Sequence, residues 1–409
     1  MELRVIEPFR VWAAPALRRA AAWALAFAAA AFAPCALADA AKDLRAANAA
    51  YERGDDATAF RMFESLAGSG DRDGQFALAV MLENGRGAKR NLPEAIKWYK
   101  RSAAQGKPEA QYNLGVIYSE RKGYVDMPRA LSWYEKAADQ GYALAQNNAA
   151  VMYANGVGAE RNEKRAFELF GKAARQGYAI AQYSLGLMYK EGRGVEPDAR
   201  QAALWLSKAA AQNDPDAQYS LGAMIAAGEG AERNDALALR WFEKAAAKGH
   251  AGAQNNAGSF YHDGRGVAPD DARALEYFRA AARQGETAAM YNMGNMYAQG
   301  RGVERDEKSA AKLFRAAALQ GHAQSQFKLG NMYYRGRGVA RDYAAAHAWY
   351  MQAAKSGHPG AMYNLGVMSE HGIGAPPDLV AAARWYGQAA KLGDSDAAAA
   401  LGRLSDRGD

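Results

Sequence analysis

The 409-residue chain has a single cysteine, Cys35, and only six histidines. A disulfide framework is therefore excluded, and a site of three or four convergent Cys and His ligands has little to draw on. Proline is sparse, at 12 residues, and no Pro-, Gly- or Ser-rich stretch divides the chain. Charge of one sign is lacking as well. The formal net charge is +7, with the basic residues dispersed rather than clustered, which argues against a nucleic-acid partner. The apolar run from Ala20 to Ala33 falls short of the roughly 20 residues that a comfortable membrane span needs.

What the chain does have is a period. Gly115, Gly186, Gly222, Gly258, Gly294, Gly330, Gly366 and Gly402 occupy one register at a spacing of 36, with Ala79 and Ala150 in the same place and a single step of 35 between 115 and 150. Length alone would allow two or three domains. An unbroken period of this size instead marks a stacked-repeat architecture whose units touch only their neighbours.

One unit, Thr287 to His322, shows the logic. Ala289, Met293, Gly294 and Tyr297 lie on one face of a first helix, and Ala310, Leu313, Phe314 and Ala317 on one face of a second. Gly300-Arg301-Gly302-Val303 ends the first helix, Asp306 offers a cap to the second, and Gly321 closes it. The small residues at Gly294, Ala289 and Ala317 are expected where the paired helices cross. The aromatic pairs Trp98/Tyr99, Trp133/Tyr134, Trp241/Phe242, Tyr277/Phe278, Trp349/Tyr350 and Trp385/Tyr386 are expected to fill the core between successive hairpins.

The pattern A-x-x-x-L-G-x-M-Y-x-x-G-x-G-V followed by D-x-x-x-A-x-x-W-Y-x-K-A-A-x-x-G resembles the Sel1-like repeat. Ala361 to Gly366 and Trp385 to Ala390 carry it in one unit. The resemblance implies an all-α fold, an α/α solenoid winding as a right-handed superhelix of 36-residue helix-turn-helix repeats. It also implies an adaptor that assembles complexes. Nine units fit, within 71–394. Two depart from the pattern: Arg121-Lys122-Gly123-Tyr124 replaces G-x-G-V in a unit one residue short, and Asn213 stands where glycine is expected. Residues 39–70 read as an N-terminal capping hairpin and 395–409 as a C-terminal capping half-repeat.

Residues 1–38 have another character. Four arginines and the apolar run precede Ala36-Leu37-Ala38, the layout of a secretory signal peptide. Cleavage is expected near Ala38, before Asp39, with a site before Ala41 or a retained anchor as the alternatives. The mature chain would lack cysteine, carry a net charge near +5 after losing four arginines and two acids, reside in a periplasm or be secreted, and have no stable membrane insertion.

Catalytic constellations are not evident. His250, His322 and His358 share the post-helix position that Tyr142 and Tyr178 fill elsewhere, and are expected to pack on the helix end. His262, His347 and His371 are singletons. No recurring H-x-x-x-H, C-x-x-C or paired-carboxylate spacing exists, and the G-R-G-V loops lack the strand and G-K-[ST] of a phosphate loop. No S-x-x-K stands with its partner motifs, so the β-lactam-directed activity claimed for some Sel1-like proteins finds no support here. Neither metal nor cofactor is expected. Lys136, Lys172, Lys208 and Lys244 recur once per unit and read as a solvated face.

The residue three before the repeated glycine gives a row: Tyr112, Asn147, Tyr183, Tyr219, Asn255, Tyr291, Phe327 and Tyr363. If first helices line the concave surface, as in related solenoids, this row faces a groove suited to peptide or glycan recognition. Partial packing of the rings between first helices is the competing expectation. The function expected is a non-catalytic, exported scaffold binding a protein or peptide. An envelope-glycan binder is the alternative, and a hydrolase a minor one.

Overall fold

The structure is a computed structural model and describes residues 35–405. Among the described residues every element is helical. The order is α1 (Cys35–Glu52), α2 (Asp56–Gly68), α3 (Arg72–Asn84), α4 (Leu92–Ala104), α5 (Pro108–Glu120), α6 (Met127–Asp139), α7 (Ala143–Asn155), α8 (Glu163–Arg175), α9 (Ala179–Glu191) and α10 (Ala199–Ala211). There follow α11 (Pro215–Ala227), α12 (Asp235–Ala247), α13 (Ala251–Asp263), α14 (Asp271–Arg283), α15 (Thr287–Gln299) and α16 (Glu307–Leu319). The last five are α17 (Ala323–Arg335), α18 (Tyr343–Lys355), α19 (Pro359–His371), α20 (Leu379–Lys391) and α21 (Ser395–Ser405). The signal-like segment lies outside the described residues except for its last four, which open α1. The fold is an α/α solenoid of helix pairs. The chain divides into two compact units, Met1–Trp205 and Leu206–Asp409.

Within each unit the same local rules repeat. First helices such as α15 end on a left-handed glycine, Gly300 at φ 70°, and second helices such as α16 begin on an Asp or Asn cap. Asp306 accepts from the backbone amides of Lys308 and Ser309. The second loop glycine answers to a different need. A Cβ on Gly302 would stand 2.6 Å from the carbonyl oxygen of Asp271, at the start of the previous second helix. Asn213 takes φ 69°, the one non-glycine residue among those described with positive φ. In the short unit Arg121 ends α5 in extended conformation and reaches Glu83 at 2.7 Å, beside the Tyr99 hydroxyl on the same carboxylate at 2.9 Å.

The repeated glycine is a socket for a ring. A Cβ at Gly115, Gly294 or Gly366 would stand 2.5 Å from Tyr134, 2.7 Å from Phe314 or 2.5 Å from Tyr386, each on the second helix of the same hairpin. Gly222, Gly258 and Gly330 face Phe242, Phe278 and Tyr350 in the same way, and Gly186 is buried. Gly402 differs: nothing lies within 4 Å of its would-be Cβ, because α21 has no second helix among the described residues to supply a ring. The aromatic pairs therefore divide. Their second members, from Tyr99 through Tyr386, are core, whereas Trp98, Trp133, Trp241, Tyr277, Trp349 and Trp385 are only half-buried. The expectation that both rings fill the core holds for one ring of each pair. Cations cover some of the outer rings: Lys136 Nζ lies 4.2 Å from the Trp133 ring centre and Lys244 Nζ 4.1 Å from that of Trp241.

Two polar ladders tie hairpin to hairpin. In one, an arginine of the G-x-G loop bonds the acid opening the previous second helix: Arg86 to Asp56, Arg193 to Glu163, Arg265 to Asp235 and Arg301 to Asp271. In the other, a buried glutamine of the first helix donates to a carbonyl at the end of the preceding helix, as Gln111 does to Ala103 and Gln254 to Ala246. A glutamine at the end of that hairpin's second helix donates in turn to its side-chain oxygen: Gln105 to Gln75, Gln140 to Gln111, Gln176 to Gln146 and Gln284 to Gln254. Where Lys248 and Ser356 replace the second glutamine, Gln218 Oε1 and Gln326 Oε1 are buried without a partner.

Three outcomes are expected. Gly366→Ala should cost about 1–3 kcal/mol in chemical denaturation, because the methyl drives into Tyr386, while Gly402→Ala should be neutral or stabilising by up to about 1 kcal/mol. Ser356→Gln should raise stability by about 1 kcal/mol by giving Gln326 its missing donor, an effect read as a shift of the urea midpoint.

Candidate functional site: the first-helix row

Every member of the sequence-derived row sits in the first turn and a half of a first helix. Its rings are held from two sides. The Tyr219 ring lies 5.9 Å from Phe242 of its own hairpin and stacks at 4.5 Å on His250, which opens the next hairpin. Tyr291 meets Phe314 and His322 at 5.8 and 5.3 Å, and Phe327 meets Tyr350 and His358 at 6.1 and 4.4 Å. Tyr112 sits likewise between Tyr134 and Tyr142, and Tyr363 lies 5.6 Å from Tyr386. These rings, with Tyr183 and Asn255, are half-buried, whereas Asn147 is 5 % exposed. Asn255 accepts from Asn292 at 3.0 Å, and Asn147 donates to Asn148. The row is thus partly spent on packing, and its rings keep part of their surface open to solvent.

The electrostatics match that use. Burial pushes the Tyr112 and Tyr219 hydroxyls upward and Tyr134 up to about 12, so these phenols stay neutral donors. Central first helices such as α7 and α15 carry no charged residue at all. Among the described residues no group of three or more His, Cys, Asp or Glu side chains is placed to hold a metal ion. No helix among them is long and apolar enough to cross a membrane.

The shared histidine position does more than close one helix. His250, His322 and His358 each cap the following first helix, with Nδ1 accepting from the amides of Ala253, Ser325 and Ala361. An accepting Nδ1 leaves the proton on Nε2, which in His358 faces Gln324 Oε1 at 3.0 Å and in His250 faces Asp216 at 3.2 Å. Burial lowers the pKa of His322 and of His358 from the ordinary 6.5.

With this geometry the chain can be set beside known proteins. The Sel1 repeat family matches at residues 72–107, 108–142, 143–178, 179–214, 215–250, 251–286, 287–322, 323–358 and 359–394. The chain belongs to the Sel1-repeat family. A solved protective antigen of uropathogenic Escherichia coli with the same repeat fold is similar at 29% identity and a TM-score of 0.66, over 90% of this chain and 88% of that one. A Sel1 repeat protein from Oxalobacter formigenes is similar at 34% identity and a TM-score of 0.60, over 74% and 87%. Among curated proteins, DAP3-binding cell death enhancer 1 of Rattus norvegicus is 38% identical over 65 residues, 16% of this chain. The match spans only 13% of that relative's own length. Sel1-repeat chains are in general non-catalytic scaffolds that mediate protein interactions.

The glutamine ladder and the histidine caps were missed in the sequence, although an Ala-Gln pair recurs at the repeat spacing, at Gln111, Gln146, Gln182, Gln218 and Gln254. The period flags such a position; only the neighbouring hairpin shows what it bonds.

The caps make a pH expectation with a definite sign. Groups whose folded pKa is lowered stabilise fully above the unfolded value of about 6.5, and that contribution is lost as pH falls through it. The melting temperature should therefore drop between about pH 7.5 and about pH 5. Changing His322 and His358 to Asn, which keeps a cap without titrating, should flatten that drop in a calorimetric pH series. An unchanged slope would separate the histidines from the acid sensitivity.

Proposed function

We propose that the chain is an exported, non-catalytic scaffold that holds a protein partner along its first-helix face. The observation that carries this reading is the repetition of half-exposed rings, Tyr219, Tyr291, Phe327 and Tyr363, on successive first helices beside uncharged amides such as Asn256, Asn292 and Asn364. Rigid rings give contact area at little conformational cost, and amides pair with the backbone of a bound segment. Family membership supports the scaffold class, and the DAP3-binding name of the rat relative agrees with protein binding. Export to a periplasm or beyond rests on the basic and apolar layout of residues 1–38.

Tagged protein is expected in the exported fraction with a mature N-terminus near Asp39; a product retaining Met1 in the cytoplasm would refute export. Isolated from that fraction, it should carry a stoichiometric protein partner. Tyr291→Ala combined with Tyr363→Ala should weaken retention by about 2 kcal/mol or more per ring while the helical circular dichroism persists. Both rings also pack, so a modest fall in melting temperature is expected. Unfolding as severe as that of a bulky change at Gly366 would make the row core and overturn the reading, as would retention on envelope polysaccharide once proteins are stripped away.

A further inference from the structure

Around Tyr189, the second helices α8 and α10 flank a groove that two other joints of the stack close. The closure is visible at Tyr153 and Tyr261. Each tyrosine hydroxyl donates to an acid of the preceding second helix, Glu135 at 2.5 Å and Glu243 at 2.6 Å. An arginine of the following second helix completes the lid: Arg273 bonds Glu243 at 3.3 Å and stacks over the Tyr261 ring. In the register of these pairs Tyr189 should meet position 171 and position 201. The sequence places Gly171 and Gln201 there, so both the acid and the arginine are missing.

The result is an open cavity of about 310 Å³ lined by Phe167, Leu185, Tyr189 and Trp205, with Lys172 and Arg175 at its rim. A Cβ on Gly171 would touch only the guanidinium of Arg175, at 3.4 Å. Phe167 stands edge-on to Tyr189 at 5.2 Å, and the Tyr189 hydroxyl has no hydrogen-bond partner among the described residues. The remaining acid of the lining, Glu168, is already paired with Arg165 at 3.3 Å. Lys172 and Arg175 are exposed and have no acid partner among the described residues.

Three aromatic walls, a hydroxyl without a partner among the described residues and two unpaired cations define a complementary chemistry. The volume is near the low end of the roughly 300–1,000 Å³ of ligand clefts, the scale of one large side chain. We propose that this groove receives an aromatic side chain of a partner segment whose flanking residues are acidic, with Lys172 and Arg175 pairing those carboxylates. The site is separate from the first-helix row and does not depend on it.

The test uses the full chain and two probe peptides, acetyl-Glu-Glu-Trp-Glu-amide and its lysine counterpart, each with 5-fluorotryptophan, followed by fluorine NMR titration. Saturable binding is expected for the acidic peptide and none for the basic one. Gly171→Glu, which restores the residue found at Glu135 and Glu243, should weaken binding about tenfold or more while leaving the melting temperature at or above that of the parent. Lys172→Glu with Arg175→Glu, both at exposed positions, should do the same without affecting the fold, and so decides the matter if Gly171→Glu misfolds. Tyr291→Ala with Tyr363→Ala should leave the titration unchanged, which separates this site from the row. Failure of the acidic peptide to bind, equal binding of the basic one, or binding indifferent to the groove variants would overturn the proposal.

Discussion

The insertion of a ring into a glycine gap is the contact from which the hairpin is built. Tyr134, Phe242, Phe278, Phe314, Tyr350 and Tyr386 each face a residue without a side chain on the partner helix. The aromatic area is buried against backbone, so the two helices come together at a fixed point along their length. Alanines then complete the crossing, as Ala289, Ala310 and Ala317 do with no exposure at all. Because the ring and its socket belong to one hairpin, the crossing of its two helices is set by contacts within that hairpin. The same ring also forms one wall of the row: Phe242 supports Tyr219, and Tyr386 supports Tyr363. Core packing and the candidate binding face are therefore the two sides of one layer.

Contacts between hairpins are of another kind. They combine apolar burial with hydrogen bonds that reach from one unit into the next, such as Gln111 to Ala103 and Gln146 to Ala138. Buried amides of this sort are favourable only when both ends are satisfied. The ladder thus discriminates between correct and shifted stacking, since a slipped hairpin strands a buried donor and a buried acceptor together. Gln218 and Gln326 keep this bond, to Ala210 and Ala318, and lack only the donor that a second glutamine of their own hairpin would supply.

Much of this was legible in the sequence for a physical reason. A helix has a period of 3.6 residues and the repeat a period of 36, so the placement of Gly294 relative to Phe314 recurs and can be read many times over. Caps were readable too, since Asp306 and Gly300 act within their own turn. Partners one unit away were not. The sequence assigns His358 to the end of one helix, yet its ring serves the next helix and stacks on Phe327 of the previous hairpin. Trp241 and Phe242 are adjacent and equally apolar, and only the packed helix shows that the first is half-exposed and the second buried. The row itself was found by register, but the extent to which Tyr291 is held by Phe314 and His322 needed three dimensions.

The arginine clips bear on how salt acts. Arg86 to Asp56, Arg193 to Glu163 and Arg265 to Asp235 sit at the rim of the joints between hairpins, about one-third exposed on the arginine side. Pairs in that position are screened by salt over a Debye length of about 8–10 Å near physiological ionic strength, while the rings in their glycine sockets are not. Within each unit, ionic strength therefore acts on the clips at the joints and leaves the ring-in-socket contacts that build each hairpin untouched: salt reaches the seams of the stack and spares its bricks.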